Sequence, residues 1–271
     1  MVVFPNAKIN IGLNIISKRA DGFHSLESIF YPVPWNDILE IIPAEKFEFS
    51  MSGIQIQGDP EENLCVKVYR SLQQSLNLPP VCIHLHKLIP VGAGLGGGSA
   101  DAAFTAKLLN EMFHLGMSDA ELMQFIKVFG SDCAFFINNQ PAFAMERGDV
   151  FEESSITLKG KFLVMVYPDL FISTKEAYGG IKPEKPEHEL RLVLKGEIQS
   201  WKQEVRNDFE TTLFPKYPVL QQIKKLLYDA GAQYASMSGS GSTIFGIFEN
   251  EVDVRKSFPG NYSIIQKFLE M

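Results

Sequence analysis

The sequence is compatible with an α+β fold, and two observations carry that expectation: a start rich in strand patterns, and a glycine-rich loop that opens onto a pair of helices. A length of 271 residues supplies one large domain or two small ones. The apolar content of 45% is that of a globular chain with a sizeable core. A net charge of −7 argues against nucleic acid or an anionic membrane as the main partner, so an anionic ligand would have to be met in a local basic pocket. No apolar run is long enough to span a bilayer, and no basic flank precedes an apolar stretch at the N-terminus. The expectation is a soluble, untargeted, cytoplasmic protein. Cys65, Cys82 and Cys133 are widely spaced and odd in number, which suits small buried hydrophobes better than a disulfide framework or a zinc site.

The first strand reads NAKINIGLNII. Ala7, Ile9, Ile11, Leu13 and Ile15 share one face, expected to be core, while Lys8, Asn10, Gly12 and Asn14 share a polar one. Asp21-Gly22 is a turn signal, and Phe23 and His24 open the strand that follows. Residues 37–57 alternate as two antiparallel strands, and Asn63 to Leu76 reads as a helix. In the strand VCIHLHKLI, His84 and His86 lie two apart on one face, with Lys87 on the opposite one. A polar strand face explains the histidine pair, and no third ligand lies nearby to make a metal site.

Residues 88–113, LIPVGAGLGGGSADAAFTAKLLNEMF, form the centre of the chain. Gly92, Gly94, Gly96, Gly97 and Gly98 allow positive φ and close approach of backbone N–H groups to a phosphate. Ser99 and Asp101 are candidate caps for the following helix, whose positive end would face the ligand. Gly92, Gly94 and Gly97 also satisfy G-x-G-x-x-G, but a second helix follows where a Rossmann unit needs a strand. Nor does Gly-Lys-Ser/Thr close the run as in a Walker A loop, so the phosphate-neutralising lysine must come from elsewhere. Ser118 and Glu121 form an S-x-x-E capping box for the second helix, which carries Leu122, Phe125, Ile126 and Phe129 and ends at Gly130.

Asp132 stands between that glycine and the apolar run CAFFI, a position in which full solvation is not expected. Strand patterns continue over 141–168, with the domain change near residue 155, giving expected domains 1–155 and 156–271. Residues 179–189 are charged and proline-rich, a surface loop. A helix near 218–230 carries Leu220, Ile223, Leu226 and Leu227, and is followed by a second glycine-serine loop, SMSGSGSTIFGIF, expected to lead from helix to strand.

The lysine strand, the first glycine loop, the acid after the second helix and the second glycine loop, in that order, resemble the GHMP small-molecule kinases over nearly the whole chain. PNAKINIGL, RADGFHSLESIF, IPVGAGLGGGSADAA, GSDCAFFI and SGSGSTIFGIF carry the likeness, and A-D-G-F-H is its most specific part. The resemblance implies an α+β, two-domain GHMP kinase fold. Its N-terminal, ATP-binding domain is like ribosomal protein S5 domain 2, its C-terminal domain is ferredoxin-like, and the active site lies between them.

It further implies ATP-dependent phosphorylation, with Mg²⁺ bridging phosphate oxygens, of the 2-hydroxyl of a cytidine diphosphate-linked methylerythritol in the non-mevalonate route to isoprenoid precursors. In the implied site Asp132 is the general base and Lys8 its electrostatic partner. Pro90, Val91, Gly92, Ala93, Gly94, Leu95, Gly96, Gly97, Gly98, Ser99 and Ala100 form the nucleotide-binding run, with Asn63 and Lys87 near the adenine end. Asn10, Phe23, His24, Thr174 and Gly239 belong to the alcohol substrate, Phe23 and His24 to its cytosine and Thr174 near that same subsite. Two departures from the family pattern stand out: Phe23 replaces a usual tyrosine, and Ala100 replaces a second serine after the glycines. The alternatives are a homoserine- or mevalonate-type kinase, against which A-D-G-F-H speaks, and a non-catalytic nucleotide-binding relative, which would have no need of Lys8 and Asp132. The sequence leaves the oligomeric state open.

Overall fold

The computed structural model describes residues 1–56 and 58–270. Gln57, the last residue of the stretch read as two strands, and Met271, the end of the second expected domain, lie outside the described residues. In chain order the elements are β1 (Val2–Val3), β2 (Asn6–Lys18), β3 (His24–Asn36), β4 (Ile38–Pro43), β5 (Glu48–Gly53), α1 (Leu64–Leu76), β6 (Val81–Lys87), α2 (Gly97–Met112), α3 (Asp119–Ile126) and α4 (Phe135–Asn138). They continue as β7 (Ala142–Met145), β8 (Val150–Glu153), β9 (Phe162–Tyr167), α5 (Thr174–Gly179), α6 (Leu190–Val193), α7 (Ile198–Glu204), α8 (Glu210–Lys216), α9 (Pro218–Asp229), β10 (Tyr234–Met237), β11 (Ile244–Phe248) and β12 (Ser263–Phe268). No helix among the described residues is long and apolar enough to cross a membrane.

Two compact units interleave along the chain. The first collects Met1–Ala7, Trp35–Val91 and Gly96–Gln140; the second collects Lys8–Pro34, Gly92–Leu95 and the chain from Pro141 onward. The glycine run is therefore divided, its first half in the second unit and its second half in the first.

In the first unit the sheet order is β1-β4-β6-β5, with β4 antiparallel and β5 parallel to β6. The two strands expected over 37–57 exist, but they do not pair with each other as a hairpin: β6 lies between them. The alternation in β6 explains the insertion, because Val81, Ile83, Leu85 and Lys87 are all buried on one face, as a central strand requires. On its other face the ring nitrogens of His84 and His86 hydrogen-bond the hydroxyls of Ser50 and Ser52 in β5. The cap of α1 is Asn63, whose side chain accepts from the Cys65 amide at 2.9 Å. The capping box of α3 forms as the sequence predicts, with Ser118 and Glu121 each satisfying the other's backbone N–H.

At α2 the expected caps are not the ones used. The helix begins at Gly97, its N-cap is Gly96 with φ +71°, and neither Ser99 nor Asp101 caps it, because both already lie within its first turns. Gly92, Gly94 and Gly96 take positive φ, whereas Gly97 and Gly98 are helical.

The second unit holds two sheets, β2-β3-β7-β8 and the fully antiparallel β10-β11-β9-β12. Leu220, Ile223 and Leu227 of α9 pack in one core cluster with Val164 and Val166 of β9 and Ile244 of β11. Each such aliphatic side chain stabilises the fold by roughly 1.5–3 kcal/mol when fully buried. Lys8, Asn10 and Asn14, on the polar face of β2, are buried too, so the strand is covered on both faces. One expectation is corrected here. The second glycine-serine loop joins two strands, since Tyr234–Met237 is a strand between it and α9. The short helices α6, α7 and α8 were not legible as periodic runs.

Candidate functional site

In the second unit, β2 carries Lys8 into the middle of a polar network. Its Nζ donates to Asn10 Oδ1 at 2.5 Å and to the Gly94 carbonyl at 3.3 Å, and it sits 4.6 Å from the centroid of the Phe30 ring. Asn10 is held in turn: its Nδ2 donates to Ser28 Oγ at 2.9 Å, and Ser28 donates to the Gly12 carbonyl at 2.6 Å. The Lys8 amide donates to Leu95 O at 2.9 Å, tying the strand to the first glycine loop.

That loop meets the second one here. Ser238 Oγ donates to the Gly94 carbonyl at 2.8 Å, and the Thr243 amide to Ala93 O at 3.2 Å. Gly94 has φ +78°, and a Cβ there would lie 2.0 Å from the Ser238 carbonyl oxygen, so only glycine fits. Gly239 is close to the same atoms, since a Cβ on it would meet Gly94 O at 3.1 Å and Asn10 Oδ1 at 3.3 Å. Lys8 and Asn10 of β2 are thus brought together with Gly94 and Gly239, both far from them in sequence, and Ser238 joins them.

The same unit carries an aromatic patch at the start of β3. The His24 ring stacks on Tyr178 with centroids 4.8 Å apart, and Tyr178 meets Phe209 edge-on at 4.8 Å. Burial, with the charge of Lys18, lowers the His24 pKa below the ordinary histidine value, leaving a neutral imidazole that can both donate and accept at neutral pH. Thr174 opens the helix α5 that carries Tyr178 one turn on, with Ser173 as its cap. Phe23 is exposed, and the Arg147 guanidinium lies 4.9 Å from its ring centroid.

In the first unit, Pro90 and Val91 lead out of β6, and Gly96 to Ala100 form the start of α2. The first turn of that 16-residue helix has neither a side-chain cap nor an acidic residue, so its N–H groups and the positive end of its dipole suit an anion. Gly97 is packed from below: a Cβ on it would lie 2.8 Å from Ile89 Cγ2 and 3.0 Å from Lys87 Nζ.

Lys87 is only 1% exposed. Its ammonium is bound by Asp37 Oδ2 and, at 2.7 Å, by Asp101 Oδ2, while Asp37 Oδ1 accepts from the amides of Leu88 and Ile89 at 2.6 and 2.8 Å. Burial works against the Lys87 charge, but Asp101 and Asp37 overcome it and raise its pKa. Burial pushes the Asp101 carboxyl up to about 7 despite Lys87, with the nearby Asp37 charge adding to the rise. The Lys87 side chain is therefore fastened beneath the helix start. Asn63 is likewise engaged, as the cap of α1, and the next residue, Leu64, reaches toward Gly98.

Asp132 is half-buried, and Ser131 Oγ lies 3.4 Å from its Oδ1. The adjoining Cys133 thiol is pushed up to about 12 by burial, against the effect of a hydrogen bond with Ser99. A Cβ on Gly130 would lie 3.2 Å from that sulfur and 3.7 Å from Ser99 Oγ, so the segment bearing Asp132 packs on the first turn of α2. Among the described residues no group of three or more His, Cys, Asp or Glu is placed to hold a metal ion. Asp37, Ser28, Tyr178 and Asn207 escaped the sequence reading, because no local pattern marks them.

Comparison with known proteins fits this geometry. Residues 63–146 match the model of the GHMP kinases N terminal domain, and residues 190–258 that of the GHMP kinases C terminal domain. The chain is 52% identical over 260 residues to the 4-diphosphocytidyl-2-C-methyl-D-erythritol kinase of Bacteroides fragilis, covering 94% of this chain and 95% of the relative. It is 50% identical to the enzyme of the same name from Cytophaga hutchinsonii, covering 98% of each. Among solved structures, a 4-(cytidine 5'-diphospho)-2C-methyl-D-erythritol kinase superposes with a TM-score of 0.79 at 28% identity, over 93% of this chain and 91% of that one. The Methanococcus jannaschii mevalonate kinase shares the fold, with a TM-score of 0.70 at 12% identity over 99% and 98% of the two chains.

Proposed function

The chain belongs to the GHMP kinase family, and we propose that it transfers the γ-phosphoryl group of ATP to the 2-hydroxyl of 4-diphosphocytidyl-2-C-methyl-D-erythritol, in the methylerythritol phosphate route to isoprenoid precursors. The observation that carries the identity of the alcohol is the half-identical, full-length likeness to relatives bearing that name. ATP is the phosphate donor of the family. The two family domains divide near residue 155, between the two matched regions, and the protein acts in the cytoplasm.

In this reading the alcohol gives its proton to the Asp132 carboxylate. The freed oxygen forms a bond to the γ-phosphorus, and the bond from that phosphorus to the β–γ bridging oxygen breaks, its electron pair leaving with ADP. Lys8 keeps Asp132 ionised and offsets charge on the transferring group. Gly94 to Ser99 wrap the phosphates, with Asn63 and Lys87 toward the adenine end, Lys87 acting from beneath through Asp37 and Asp101. Mg²⁺ held on the triphosphate would neutralise phosphate charge, and Ser99 is the loop hydroxyl that would be offered to it. Asn10 and Gly239 face the alcohol, and Thr174 lies near the cytosine subsite. His24, neutral and stacked, and Phe23, offering a ring face without a hydroxyl, recognise the cytosine.

The test is ADP release from Mg-ATP with a panel of alcohols: diphosphocytidyl-methylerythritol, mevalonate, homoserine and galactose. Turnover is expected with the first alone. Turnover with homoserine or mevalonate in its place would transfer the protein to another branch of the family, and nucleotide binding without turnover on any alcohol would make it a non-catalytic relative.

A further inference from the structure

The segment Arg206–Phe209, between α7 and α8, together with Glu210 at the start of α8, belongs to neither glycine loop, yet it fastens the second loop to the lysine strand. It lies alongside β2 as a single parallel bridge between Leu13 and Asn207. The Leu13 amide donates to Arg206 O and the Asp208 amide to Leu13 O, each at 2.9 Å, and Asp208 Oδ2 accepts from the Ile15 amide at 2.7 Å.

From that anchored position Asn207, 1% exposed, reaches into the second loop. Its Nδ2 donates to the carbonyls of Met237 and Gly239, both at 2.8 Å, while its Oδ1 accepts from the Phe209 amide at 3.0 Å. The amide is used to its full donor capacity, and both of its acceptors are carbonyls, which cannot be served by a carboxylate. One turn on, Glu210 Oε1 accepts from Ser236 Oγ and the Met237 amide at 3.0 and 2.8 Å, pinning the strand that enters the loop.

Between the two carbonyls bound by Asn207 lies Ser238, whose hydroxyl holds the Gly94 carbonyl to which Lys8 also donates. We propose that Asn207 is a positioning residue for phosphoryl transfer: by clamping the Met237 and Gly239 carbonyls it sets Ser238, and through Ser238 it sets Gly94 and the Lys8 ammonium. This rests on the function proposed above. Asn207 touches neither the lysine nor a reacting atom, so its effect runs through geometry, and a displacement of about 1 Å in such a site costs up to about 10²-fold in rate.

The experiment compares wild type, Asn207→Ala, Asn207→Asp, Ser238→Ala and the Asn207→Ala/Ser238→Ala double variant. Steady-state kinetics are paired with hydrogen exchange of the Ser238–Thr243 amides. Asn207→Ala is expected to lower kcat by about 10- to 100-fold per folded molecule with KM for both substrates little changed, and to speed exchange in the loop. Asn207→Asp, which turns an oxygen toward two carbonyls, should be worse than alanine. The double variant should be no slower than the worse single one.

A folded Asn207→Ala with native kcat and native loop exchange overturns the proposal. So does a Ser238→Ala with native kcat, which tests the link even if both Asn207 variants fail to fold. Losses that multiply in the double variant overturn it as well. If wild type turns over none of the alcohols, the functional reading fails instead, and loop exchange still decides whether Asn207 sets the loop.

Discussion

Lys8 and Lys87 are two buried lysines on strands, 3% and 1% exposed, and the groups that hold each within its own unit differ. Lys87 lies between the carboxylates of Asp37 and Asp101, and Asp37 also ties down the two amides that follow. In its own unit Lys8 donates to an amide oxygen and a backbone carbonyl, and lies over an aromatic ring. Two acids spend the Lys87 charge on holding the helix start, whereas the Asn10 amide oxygen and the Gly94 carbonyl orient the Lys8 ammonium within its own unit.

The largest effect should come from Lys8 and Asp132, the pair proposed to be catalytic. Asp132→Asn and Lys8→Met are each expected to lower single-turnover phosphoryl transfer by about 10² to 10⁴ or more, with ATP binding and the urea midpoint little changed in Asp132→Asn. The double variant should be only slightly slower than either. Near-native turnover in Asp132→Asn would place the base elsewhere, and losses that multiply would mean the two act independently.

Lys87→Met comes next and should read mainly in stability. It leaves Asp37 and Asp101 buried with no cation between them, a change that costs about 3–5 kcal/mol in urea unfolding. Adding Asp101→Asn to that variant should recover part of the loss. If Lys87→Met unfolds like wild type yet abolishes turnover, the distinction between the two lysines collapses.

The smallest effect is a pH dependence. An acid whose folded pKa of about 7 exceeds its ordinary 3.8 binds more protons folded than unfolded in between, so its contribution to stability is greatest at low pH and falls as pH rises through that window. Asp101→Asn still offers an oxygen to Lys87 but cannot ionise. Its stability relative to wild type should therefore improve from pH 5 to pH 8, as read from urea midpoints, and an unchanged difference across that range would remove Asp101 as the titrating group.

What the sequence determined by itself was local. The strand β2, the Ser118–Glu121 box, the helix ending before Gly231 and the glycine run all follow from patterns two to four residues apart, which a linear sequence records. The motif order carried the likeness to the family, and with it the roles proposed for Lys8, Asp132 and His24.

Tertiary structure decided the rest. It placed β6 between β4 and β5, and it covered the polar face of β2. It brought Asp37 to Lys87 across 50 positions of chain and turned two predicted caps into helix residues. It also set Asn207 beneath a loop 30 residues away. Such partners share no period with the residues they serve, and an isolated Asn or Asp reads the same in any solvated loop. Only chain closure, which buries the polar group and makes its hydrogen bonds obligatory, distinguishes it.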